Sequence, residues 1–170
     1  ARIAIPLVTF LAGPYHAGIY SGALRFPQAL ANIPTGILSA VFPSLAAKSP
    51  RTFGFRRLLR RTLLTMTVIA VPTALALYVT APWLIRWIYG REYEEAIPVL
   101  RQLAWLVIPM FLGMAFSQVL LSQRSLVRFL PWVAAGGLGV NLMLGFLLIP
   151  SHLSLGAAWT LLLTETLLAL

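Results

Sequence analysis

GIYSGALRFPQALANIPTGILSAVFPSLAA, Gly18 to Ala47, is a mostly apolar stretch that holds a single charge, Arg25. Roughly 20 apolar residues cross the hydrocarbon of a bilayer, so the stretch can span one with tilt. Pro27, Pro34 and Gly36 fall in its interior. A proline there removes a backbone donor and clashes with the carbonyl four residues back, so a helix over this stretch is bent or able to bend. A water-soluble core has little use for such a segment. Inside a membrane, a lone guanidinium must find protein, water or an anion, and so marks a candidate working site.

Composition says the same of the whole chain. Hydrophobic residues make up 59% of it and charged residues 10%, against roughly 25% charged in an average soluble domain. A core of 170 residues cannot hide that much apolar side chain from water, so lipid must cover the remainder. The chain has 13 Lys and Arg against 4 acids, all Glu, and a net charge of +9. These basic residues sit between apolar runs, where topogenic charge belongs, rather than on one polar face. No nucleic-acid partner is expected. With no cysteine, a disulfide scaffold is excluded. The chain begins at Ala1 and stops at Leu170 within an apolar run, and it reads as part of a longer polytopic protein.

Outward from 18–47, residues 1–12 look like the end of a helix, followed by the turn signal Gly13-Pro14-Tyr15-His16. On the other side lies KSPRTFGFRRLLRR, residues 48–61. It carries Lys48, Arg51, Arg56, Arg57, Arg60 and Arg61 and no acid. Phe55, Leu58 and Leu59 among them suggest an amphipathic entry to the next helix, lying at the membrane interface. Further spans are expected at 63–88, bent by Pro72 and Pro82; at 96–121, with Pro109 in its middle; at 129–149; and at 155–170. Trp83, Trp87 and Tyr89 cluster like an aromatic belt at a headgroup boundary. The expected fold class is all-α: a polytopic membrane protein of about six transmembrane helices, the first and last truncated.

Orientation follows from charge. The 48–61 connector is wholly basic, and the 122–128 turn adds Arg124 and Arg128. The opposite side holds His16, His152 and a mixed loop, where Arg86, Arg91 and Arg101 accompany Glu92, Glu94 and Glu95. The positive-inside rule therefore puts the two basic connectors in the cytoplasm.

GIYSGALR (18–25), IPTG (33–36) and AVFPSLA (40–46) resemble one helix of the multidrug/oligosaccharidyl-lipid/polysaccharide exporter superfamily. YGREYEEAIPVL (89–100), LSQR (121–124), NLMLGFLLIP (141–150) and GAAWTLLLTE (156–165) continue the likeness in order across nearly the whole chain. The branch it is most similar to is that of the lipid-linked oligosaccharide flippases. The resemblance implies two six-helix lobes around a central cavity, with this chain forming most of the second lobe and the first lobe as its partner. It also implies turnover of an isoprenoid-diphosphate-linked saccharide by alternating access, with Arg25 at the place of a cavity arginine that engages the anionic head.

The candidate substrate-binding residues are Arg25, Gln28 and Asn32. A guanidinium donates two parallel hydrogen bonds to a phosphate; its alternative is to snorkel to the headgroups. Gln28, Asn32 and Asn141 either line a cavity and bind sugar hydroxyls or tie helices together. Glu165 is the one acid inside an expected span; it is either a coupling carboxylate or a polar contact with a neighbouring helix. Pro27, Pro34 and Gly36 are the helix-bending positions. The arginines of 48–61 set topology or attract anionic headgroups. Gly136-Gly137-Leu138-Gly139 lies in an apolar span with no preceding strand, so it reads as a helix-packing site rather than a phosphate loop. His16 and His152 have no partners at metal-ligand spacing, and no metal is expected.

No nucleophile–base set or cofactor fingerprint is present, so the expectation is a transporter, not an enzyme. It would carry no cofactor, although coupling to an ion gradient or the membrane potential stays open. Its location would be the bacterial inner membrane, and its partners lipids, the lipid-linked saccharide, and polysaccharide polymerase and glycosyltransferases. Two other functions stay open: a cation-coupled multidrug exporter of the same superfamily, and a non-transporting scaffold for envelope polysaccharide assembly.

Overall fold

The computed structural model describes residues 4–47, 52–122 and 130–169. Lys48, Arg51, Arg124 and Arg128 lie outside the described residues, as does the side chain of His152. Among the described residues there is no strand, and the chain is an all-α membrane protein. Two helices, Phe53–Ile88 and Pro131–Pro150, are each long and apolar enough to cross a bilayer. A bent pair, Ala96–Ala104 with Val107–Leu121, makes a third such span if counted as one.

Helix α1, Ala4–Leu30, is interrupted at Gly13 (φ 87°, ψ 166°), directly before Pro14. A positive φ of that size is open to glycine and costly for other residues. After the single residue Ala31 comes α2, Asn32–Ala46. The stretch expected as one helix over 18–47 is therefore two. Pro34 explains where it breaks: its ring cannot donate to, and clashes with, the carbonyl of Leu30 four residues back, and Leu30 is the last residue of α1.

Helix α3, Phe53–Ile88, runs 36 residues, about 54 Å at 1.5 Å per residue. That exceeds the roughly 30 Å of hydrocarbon, so its first turns project beyond it. The Thr52 side chain caps it by accepting from Phe55 N. The arginines from Arg56 to Arg61, expected on an amphipathic entry to this helix, form its first turns. Its buried residues Thr62, Met66, Ala70, Ala74, Leu77, Ala81 and Ile85 recur every three to four positions as one stripe, with Phe55 two turns earlier. Alanines at 70, 74 and 81 let neighbouring backbones come close, the main source of helix association in lipid.

Gly90, again at positive φ (88°), leads into a short 3₁₀ turn at Arg91–Tyr93 and then α4, Ala96–Ala104. Helix α5, Val107–Ser122, follows at a bend of 44°. The expected 96–121 span is broken at Trp105 and Leu106, upstream of Pro109. The cause is the one seen at Pro34, since Trp105 is the residue four before Pro109.

The last helical run, α6 (Leu130–Ala169), folds back on itself at Leu153 (φ 50°, ψ −126°). Asn141 Nδ2 donates to Thr164 Oγ1 at 3.3 Å. A methyl on Gly137 would sit 2.6 Å from Leu168 Cδ1, and one on Gly156 would collide with the Leu148 carbonyl. These pairs converge on the reversal, so α6 is an antiparallel hairpin of two helical legs. The core lies where α4, with Ala96, Val99, Leu100, Leu103 and Ala104 all buried, packs among α1, α3 and α6. Helix α2 packs chiefly on α5, around Leu38, Met66 and Ala115.

Candidate functional site

The exposed faces divide by chemistry. Helix α3 shows Leu64, Val68, Val71, Leu75, Val79, Trp83 and Trp87 outward, and the first leg of α6 shows Trp132, Met143, Phe146 and Leu147. Such faces suit lipid. On α1 and α2, from Gly18 to Ser44, Ile33 is the one large exposed hydrophobic among the described residues. The rest of that outward face is small or polar: Gly18, Arg25, Gln28, Ala29, Asn32, Thr35, Gly36 and Ser39 are exposed, with Ser21 and Gly22 half-buried between them. Helical spacing of three to four residues puts most of these on one stripe.

Arg25 lies on that stripe and lines a cleft of about 150 Å³ together with Gly18, Ser21 and Gly22 of α1 and Tyr89, Tyr93 and Ala96 from the far end of α3 onward. Among the described residues it has no hydrogen-bond or ion-pair partner. Tyr89 is held in place: its hydroxyl donates to the Gly22 carbonyl at 3.3 Å. Its ring meets Phe26 edge-on at 6.2 Å and Tyr93 at 5.6 Å between centroids. No carboxylate lines the cleft. At its end of the molecule, Glu94 accepts from Arg86 Nε at 2.9 Å. Glu95 accepts from the Tyr15 hydroxyl at 3.4 Å, and its negative charge raises the Tyr15 pKa above the ordinary 10.0.

Gln28 and Asn32 are exposed beyond Arg25 and outside the cleft. Asn32 Nδ2 donates to the Ala29 carbonyl at 3.1 Å, across the α1–α2 break. Pro27 and Pro34 are buried and Gly36 is exposed. Glu165 is half-buried on the second leg of α6, beside the Thr164 that pairs with Asn141, and it does not line the cleft. Asn141 is buried within the hairpin, and this tie between its two legs accounts for its amide nitrogen.

Arg56, Arg57, Arg60 and Arg61 are exposed on the first turns of α3, and three of them share a shallow hollow of about 470 Å³ with Phe53. Arg101 stands 5.3 Å over the Tyr78 ring rather than with the acids of the 90–95 loop. Among the described residues no three His, Asp or Glu cluster as metal ligands.

Tyr89 and Tyr93 are the cleft residues that sequence reasoning did not single out as functional. The sequence groups Tyr89 with Trp83 and Trp87, yet those two stack on each other at 6.3 Å, largely exposed, while Tyr89 is half-buried and turned to Gly22 and Phe26. The signal was present: Tyr89 lies four residues after Ile85, on the continuation of the buried stripe through Leu77, Ala81 and Ile85.

A family model described as "Polysaccharide biosynthesis protein" matches residues 2–98, more than half of the chain. No curated protein and no solved structure gives a significant match. The matched residues include α1, α2, α3 and every residue that lines the Arg25 cleft. The chain belongs to the polysaccharide biosynthesis protein family and is a membrane member of it.

Proposed function

We propose that this chain forms part of a flippase that moves an isoprenoid-diphosphate-linked saccharide across the bacterial inner membrane by alternating access. The observation that carries the reading is the contrast of surfaces. Lipid-facing helices are bulky and apolar, whereas α1–α2 turns small and polar residues and one unpaired arginine outward. Facing lipid, that stripe would leave a guanidinium, amides and hydroxyls in hydrocarbon at a cost of several kcal/mol or more. Facing a second lobe across water, it becomes the wall of a polar passage. Membership of a polysaccharide biosynthesis family supports a saccharide-bearing cargo.

In this reading Arg25 holds the diphosphate by paired charge-assisted hydrogen bonds, while Gln28 and Asn32, outside the cleft, line the polar passage along which the cargo travels. The Ala31 break lets the halves of the α1–α2 unit tilt separately as the lobes rock. The protein changes the leaflet of its cargo, not its bonds, and acts as a carrier rather than an enzyme. The test is the leaflet distribution of lipid-linked saccharide in cells lacking the full-length protein, probed with an impermeant sugar-modifying reagent before and after lysis. Expected is a protected inner-leaflet pool that wild type clears, Arg25→Ala does not, and Arg25→Lys clears partly. An unchanged pool would overturn the proposal. Normal clearance by both variants would remove Arg25 from the mechanism.

A further inference from the structure

We infer that Tyr89 and Tyr93 form, with Arg25, a subsite for a phosphorylated sugar, in which the tyrosines take the sugar ring and Arg25 takes its phosphate. The inference rests on the saccharide-carrier reading and adds which wall of the cleft holds which part of the cargo. One wall is α1: Gly18 and Gly22, with Ser21 between them, its hydroxyl donating to the Gly18 carbonyl at 3.1 Å, and with Ile19 and Ala23 completing the lining. A Cβ on Gly18 would meet nothing within 4 Å, so open space lies beyond it. The adjoining wall is the two tyrosines, Tyr89 meeting the first wall at Gly22.

An aromatic face is electron-rich, and the C–H bonds of a sugar ring present a weakly positive, flat surface to it. Tyr89 is fixed beforehand by Gly22 and Phe26, so little ordering entropy is lost when a ligand arrives. Tyr93 is 43% exposed, and its hydroxyl makes no hydrogen bond with any described residue. Arg25 supplies the cation, and the carboxylates at this end are turned to Arg86 and Tyr15 or lie off the lining. A free phosphate has no use for two aromatic rings, and a cationic drug would be repelled by Arg25. A sugar bearing a phosphate uses both features.

The experiment is calorimetric titration of the purified full-length protein with glucose 1-phosphate and, separately, inorganic phosphate. Wild type is expected to bind the sugar phosphate about tenfold more tightly, the gain of roughly one well-placed aromatic contact. Tyr93→Ala should abolish that gain while leaving phosphate affinity unchanged, Tyr93→Phe should keep it, and Arg25→Ala should weaken both ligands. Equal affinity of wild type for the two ligands would overturn the inference. So would a Tyr93→Ala variant that retains the gain, or one that weakens both ligands alike. The leaflet assay is separate: a missing sugar gain with normal flipping removes only this subsite, while a present gain with an unchanged leaflet pool removes translocation.

Discussion

Arg25 has a geometric neighbour whose change separates cleft from fold. A Cβ on Gly22 would meet the Tyr89 ring at 3.6 Å, ordinary contact, so Gly22→Ala should be tolerated. Gly22→Leu should fill the cleft, raising the dissociation constant for pyrophosphate at least about tenfold, since the larger side chain must displace Tyr89 or the ligand. Thermal unfolding in detergent checks that its fold survives. Gly156 is the opposite case. A Cβ there collides with the Leu148 carbonyl, which is backbone and cannot swing aside. Gly156→Ala is expected to destabilise the protein by about 1–3 kcal/mol through overpacking, read as a lower unfolding midpoint.

Among the elements, two breaks share one cause. Pro34 and Pro109 each stand third in their helix, where a missing N–H costs nothing, and each bars the preceding helix from running through the carbonyl four residues back. Both prolines are visible in the sequence. The breaks nonetheless fall before them, near Leu30 and Trp105, because the clash is with the upstream carbonyl. Pro34→Ala should straighten the α1–α2 junction. Spin labels at positions 24 and 40 should then report a longer and narrower distance distribution than in wild type, and an unchanged distribution would contradict this cause. Helix α3 poses a different question, because arginines at a helix N-terminus oppose the macrodipole. Arg56, Arg57, Arg60 and Arg61 therefore gain nothing from the helix dipole, and the topogenic reading of them is open to a direct test. Replacing all four with Gln should leave helicity intact and produce a fraction of inverted molecules, read by reporter fusions after residue 122.

At the scale of the whole molecule, the all-α membrane class was legible because composition alone forbids a water-soluble core. Arg25 was legible as the lone charge in its stretch. The second wall of its cleft was not. Tyr89 lies 64 positions after Arg25, and only the packing of α1 beside the end of α3 brings the two together. The small-polar face of α1–α2 was likewise hidden. Sequence shows that Gly18, Gln28, Asn32 and Ser39 are polar or small, but not that the bulky residues between them turn inward onto α4, α5 and α6.

That this face meets water rather than lipid is the claim on which the rest depends, and the chain's lack of native cysteine makes it directly measurable. Single cysteines at positions 18, 25, 28, 32, 36 and 39, and at 68, 75 and 79 on α3, would be treated in intact membranes with a charged, water-soluble thiol reagent. Labelling along the α1–α2 stripe with none on α3 is the expected result. A stripe as unreactive as the α3 positions would mean that it faces lipid, and the polar passage would have to be abandoned.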